Sequence, residues 1–144
     1  MSQDLRAQHG PAISPASPSV VAGVARRLSA LASAGASFTT PDESESALAI
    51  LFAERAVVWP TERAKIARGA EWRACHDIAE RLALGNPERY HRVFGYALGH
   101  DAHWRTHSWV VDLRTRRIIE PTPAVRRAYV GVELTTQETR ASEA

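Results

Sequence analysis

The chain has 144 residues, 44% hydrophobic and 24% charged, with a formal net charge of +2. That length predicts one domain, and the composition excludes a collagen-like, wholly disordered or disulfide-scaffold chain. The only cysteine, Cys75, excludes an intramolecular disulfide and a thiolate-rich zinc site. Lys65 is the only lysine among 18 basic residues, and acids are spread among the arginines, so the charge does not mark a nucleic-acid binder.

In chain order, residues 1–18 hold Pro11, Pro15 and Pro18 among polar and small residues and read as a disordered leader. No apolar signal-peptide core interrupts Met1 to Pro18, and no run approaches a membrane span. A cytoplasmic protein is therefore expected, and export without a signal peptide stays open. Val20, Val21, Val24, Leu28 and Leu31 recur at helical spacing, and Gly35 is the expected stop. A second helix is predicted from Ser44 to Val57, closed by Trp59-Pro60, with a short helix restarting at Thr61-Glu62-Arg63-Ala64 and ending near Gly69. Ala70 to Leu84 reads as the central helix, stopped by Gly85-Asn86-Pro87.

The pattern then changes. Tyr90–Leu98, Trp104–Leu113, Arg117–Glu120 and Ala128–Leu134 are β-rich runs separated by turn residues. Helices followed by strands predict an α+β domain with an antiparallel sheet over residues 19–134. Thr135 to Ala144 reads as a frayed polar tail.

Cys75 lies near the start of the central helix, where the dipole and free N–H groups favour a thiolate. The bland alternative is a buried small hydrophobe. His76 is adjacent and turned about 100° away on a helix, which makes it a poor base for Cys75. His107 alternates with Trp109 and Val111 on one strand face, a partly buried imidazole. Two acids compete to orient it. Asp112 points to the other face, roughly 16 Å along at about 3.3 Å per residue, and reads better as a turn residue. A two-residue turn at Leu113-Arg114 would place Glu120 directly opposite His107. A slip of two residues would set Glu120 opposite Trp109, still a diagonal neighbour of His107.

Cys75-His76-Asp77, Gly95-Tyr96-Ala97-Leu98, His107-Ser108-Trp109, Ile118-Ile119-Glu120-Pro121-Thr122 and Tyr129-Val130-Gly131-Val132 follow one another in this order. Residues 70–134 thereby resemble the small papain-like and transglutaminase-like cysteine proteins of bacteria and phages. The resemblance implies a Cys-His-Asp/Glu triad carried by Cys75, His107 and Glu120, acting on a protein or peptide without a cofactor or metal. Asp77 stands where many relatives carry Asn, and no Gln lies between Gln8 and Gln137 to complete an oxyanion hole. Trp72, Trp109 and Tyr96 are the candidate substrate-binding residues, although Trp59, Trp72 and Trp109 read more readily as core than as ligand platforms.

Two other classes remain open. His100, His103 and His107, with Cys75-His76, can be read as metal ligands, but on a strand His103 and His107 stand about 13 Å apart. Arg114, Arg116, Arg117, Arg126 and Arg127 can be read as a basic patch of a non-catalytic binding module, or as a solvated hairpin tip.

Overall fold

The computed structural model describes residues 14–32 and 37–142. Ser17 caps helix α1 (Pro18–Leu31), its hydroxyl accepting from the Val20 amide, with Pro18 in the first turn. There proline's missing N–H costs nothing. Val24 and Leu28, four residues apart, are the buried side of α1. Of the expected leader, residues 1–13 lie outside the described residues. Its last residues are not loose: Ala16 is buried and donates to Pro41, and Glu43 donates to Ser14.

Strand β1 (Ser37–Phe38) and a 3₁₀ turn (Glu43–Glu45) lead into helix α2 (Ser46–Arg55). Asp42 and Glu45 form a reciprocal capping box at that turn. The helix ends two residues before the predicted Val57. Val57 and Val58 are β-branched and precede Trp59-Pro60, so the chain extends into strand β2 (Val57–Trp59). The short helix predicted from Thr61 to about Gly69 is absent. A turn stands there, followed by strand β3 (Lys65–Ile66).

Helix α3 (Cys75–Gly85) begins five residues later than predicted. Residues before it are held elsewhere: Ala67 N–H donates to Glu120 O, and Glu71 N–H donates to Pro121 O. Arg73 then adopts a left-handed conformation (φ 68°) that turns the chain into the helix. For a non-glycine residue that conformation costs roughly 1–2 kcal/mol.

The remaining strands are β4 (Tyr90–Leu98), β5 (His103–Asp112), β6 (Ile118–Glu120) and β7 (Ala128–Glu133). The sheet runs β2-β7-β4-β5-β6-β3, with β1 also paired to β5. Pairing is antiparallel except where β1 joins β5 and β3 joins β6. The protein is thus α+β, with helices preceding a mostly antiparallel sheet. The expected frayed tail is also corrected. Helix α4 (Thr136–Ala141) carries a capping box from Thr135 and Glu138, and Thr139 is buried.

Strand alternation divides the core. Phe94, Tyr96, Val130 and Val132 face α1 and α2, burying Phe52 and Leu28 between them. Val93, Ala97, Trp109, Val111 and Tyr129 face the other way, packed with Trp59 and Ile118. No described helix is long and apolar enough to cross a membrane.

Candidate active site

One edge of β5 is interrupted. β1 pairs with it at His103 and Trp104, and β6 only at Val110 and Val111, so neither strand pairs with residues 105–109 on that side. Cys75, the first residue of α3, reaches this gap, and the Ser108 backbone N–H donates to its sulfur. His107 lies on the same stretch of β5, and its imidazole interacts with the Cys75 thiol. Its Nε2 is 2.9 and 3.0 Å from the two oxygens of Glu120, which leaves Nδ1 as the nitrogen for Cys75.

The β5–β6 register sets Val110 opposite Ile119, so Glu120 continues opposite Trp109. This is the slip of two from the predicted register. The connection is a four-residue loop rather than a two-residue turn: Asp112 and Arg117 are bonded across it, and Arg116 takes φ 60°. Glu120 therefore meets His107 on the diagonal, and its longer side chain spans the distance.

Glu120 is fully buried and accepts four hydrogen bonds. Tyr129 Oη–H donates at 2.7 Å, Thr122 N–H at 2.9 Å, Thr122 Oγ1–H at 2.8 Å, and His107 as given. Arg126 lies 3.9 Å away. Burial alone would raise its pKa, but the bonds from His107, Tyr129 and Thr122 hold the carboxyl below its ordinary value. For His107, burial would lower the pKa, but Cys75 and Glu120 together raise it. For Cys75, burial would raise the pKa, but His107 and the Ser108 amide bring the thiol below its ordinary value. The three shifts share one direction of charge: thiolate, imidazolium, carboxylate.

The ring of His107 lies over Trp109, with centroids 6.1 Å apart and planes at 29°. Trp109 is itself fixed edge-on against Tyr129, 4.9 Å between centroids. Gly131 makes the space, since a Cβ there would stand 2.6 Å from the Trp109 ring. Trp109, expected among the substrate-binding residues, is thus a fully buried floor under the histidine. Tyr96 is displaced from the site altogether. Its hydroxyl donates to Thr39 O at 2.8 Å on the helix-covered face, because Gly95 is the β4 residue opposite His107 and Tyr96 alternates away. Trp72 does line the site. It is 59% exposed beside a cleft of about 180 Å³ that includes Cys75, His107, Thr122 and Arg126.

The α3 N-terminus opens at this cleft without a capping side chain, because Ala74 occupies the cap position. Its first N–H groups have no intrahelical acceptor and are free to receive an anion. Asp112 sits at the far end of β5, as a turn residue. It is bound bidentately by Arg89 at 2.9 and 2.8 Å and pulled down to about 2 by that guanidinium.

The metal reading loses its ligands to other bonds. His103 meets Ser37 through Nδ1 and Thr39 through Nε2, at 2.6 and 2.7 Å, and His107 is committed to Glu120. Among the described residues no group of three or more His, Cys, Asp or Glu is placed to hold an ion. The arginine cluster is dispersed as well: Arg116 pairs with Glu133, Arg117 bonds Arg63 O, and Arg126 stands at the cleft.

Sequence reasoning missed Tyr129, Thr122, Ser108 and Arg126. Thr122 carried a local signal, since a hydroxyl and amide two residues after a carboxylate can close back on it. Tyr129 and Arg126 carried none, because the β7 register and the loop before it are set by long-range contacts. Compared with known protein families, curated proteins and solved structures, the chain matches none of them.

Proposed function

We propose that the protein is a cysteine-dependent acyl-transfer enzyme with a papain-like or transglutaminase-like core. The observation that carries this reading is the alignment of Cys75, His107 and Glu120, with the thiol brought down and the imidazole brought up by one another. A purely structural cysteine gains nothing from a buried, oriented imidazole beside it.

The Cys75 thiolate attacks a carbonyl carbon, forming the S–C bond and a tetrahedral oxyanion. The Cys75 N–H and neighbouring first-turn amides of α3 face that charge. Collapse breaks the bond to the leaving group, which takes the proton from His107, and a thioester remains. Water then gives a proton to His107 as its oxygen attacks the thioester. The acid leaves, and Cys75 is again a thiolate beside an imidazolium. Glu120 stays ionised throughout, holding the tautomer and balancing the imidazolium. A peptide or protein amide is the proposed substrate, with an amine in place of water as the transglutaminase-like variant.

Iodoacetamide alkylation of Cys75 across pH, in wild type and His107→Ala, tests this reading. The expected profile reaches its plateau well below the free-thiol pKa of about 8.5 and moves up in the variant. A thiol as unreactive as an ordinary cysteine, or a variant indistinguishable from wild type, would overturn it.

A further inference from the structure

We infer that the cleft selects an acyl donor bearing a carboxylate, received by Arg126. The inference rests on the acyl-transfer reading and adds the substrate class. Arg126 is mostly withdrawn from solvent, its side chain 22% exposed. Every hydrogen bond it makes from its guanidinium runs through one nitrogen: Nη1 donates to Thr122 Oγ1 at 2.8 Å and to Ala124 O, and the same nitrogen faces Glu120. The guanidinium also lies over the exposed Trp72 ring, 5.7 Å from its centroid. The Nε–Nη2 edge thus has no acceptor among the described residues. That edge offers two parallel N–H groups, the fork that receives a carboxylate bidentately.

The rest of the cleft agrees in sign. Arg73, Arg105 and Arg126 line it, and no carboxylate does so among the described residues. Arg105 is neutralised by Asp101 at 2.6 Å, but Arg73, exposed and left-handed, has no acceptor there. Glu120 does not cancel this charge, because it is shared with the His107 imidazolium. A volume of about 180 Å³ suits one side chain or chain end, below the usual size of a whole small-molecule pocket.

Two alkylating agents that differ only in charge test the inference. Iodoacetate and iodoacetamide both transfer their carbon to the thiolate and release iodide, but only iodoacetate carries a carboxylate. The rate ratio of iodoacetate to iodoacetamide is expected to exceed that of free cysteine at matched pH and ionic strength. In Arg126→Gln it is expected to fall about tenfold, the size of one charge-assisted pair. Taking the ratio cancels any change in thiolate reactivity. Arg73→Ala is expected to lower the ratio less.

A second measurement needs no variant. N-acetylglutamate α-amide carries only a side-chain carboxylate, N-acetylglutamine only a terminal one, and N-acetylglutamine amide neither. Protection of Cys75 from iodoacetamide by either acid but not by the diamide supports the inference and says which carboxylate is read. A wild-type ratio equal to that of free cysteine, a ratio unchanged in Arg126→Gln, or equal protection by all three compounds would overturn it. A Cys75 unreactive toward both agents would instead remove the acyl-transfer reading beneath it.

Discussion

Two histidines flank Cys75 from opposite sides of the sheet, and their surroundings shift their protonation in opposite directions. His107 is buried against Glu120 and is raised above its ordinary pKa by Cys75 and that carboxylate. His76, next in sequence to Cys75, faces a polar cavity of about 750 Å³ on the helix side. Burial, the Arg92 guanidinium and His107 bring it down to about 4. Arg92 donates to Ser108 Oγ at 3.0 and 3.2 Å, and that hydroxyl is 2.6 Å from His76 Nδ1. With the guanidinium as donor, the hydroxyl hydrogen is left for Nδ1, so the ring is neutral with its hydrogen on Nε2. Sequence proximity to Cys75 therefore does not decide which ring is protonated more readily; the sign of the charge behind each ring does.

The largest effect is expected at the carboxylate. Glu120→Ala would strand Tyr129, Thr122 and the buried imidazole without their shared acceptor, and urea unfolding is expected to show a loss of about 3–5 kcal/mol. Glu120→Gln keeps an acceptor but not the charge. It should fold while its alkylation plateau moves to higher pH, as the imidazolium loses its counter-ion. Next comes the floor: Gly131→Ala is expected to cost about 1–3 kcal/mol and to slow alkylation, since Trp109 must shift and His107 lies on it.

The pH dependence of stability has two limbs. The lowered Glu120 contributes stability above the ordinary carboxylate pKa, lost as pH falls through its folded value. The raised His107 contributes stability below the ordinary imidazole value, lost as pH rises through its folded value. The stability difference between wild type and Glu120→Gln should therefore peak between about pH 4.3 and 6.5, the two ordinary values. A flat difference across pH would show that the pair carries no such coupling.

The smallest effects belong to His76. His76→Asn should leave alkylation within about twofold and cost about 1 kcal/mol, the net worth of one hydrogen bond. Arg92→Met should move the His76 titration up toward the ordinary imidazole value, read from its ring proton shifts in NMR. A loss of alkylation in His76→Asn comparable to that in His107→Ala would erase the distinction between the two rings.

Much of this site was legible because it is local. β4 spans the predicted Tyr90–Leu98, and alternation along β5 separates His107 from Ser108 without any tertiary information. The same alternation, carried across to β4, would have sent Tyr96 away from the cleft. The α3 start was hidden because Ala67 and Glu71 bond to β6 residues distant in sequence. The hairpin register was hidden because Arg116 adopts a left-handed turn conformation that usually announces itself as Gly or Asn. Arg126 depends on a loop held by Thr122 and Trp72, which no periodicity encodes.

The gap in the β5 edge gives the protein a built-in spectroscopic reporter. The Ser108 amide there donates to sulfur instead of a strand carbonyl, so its proton resonance and exchange rate follow the charge on Cys75. Titrating the thiol, acylating it or alkylating it would each register at one backbone position with no label attached to the cysteine. The site's chemical state can then be followed by amide spectroscopy before any substrate is in hand.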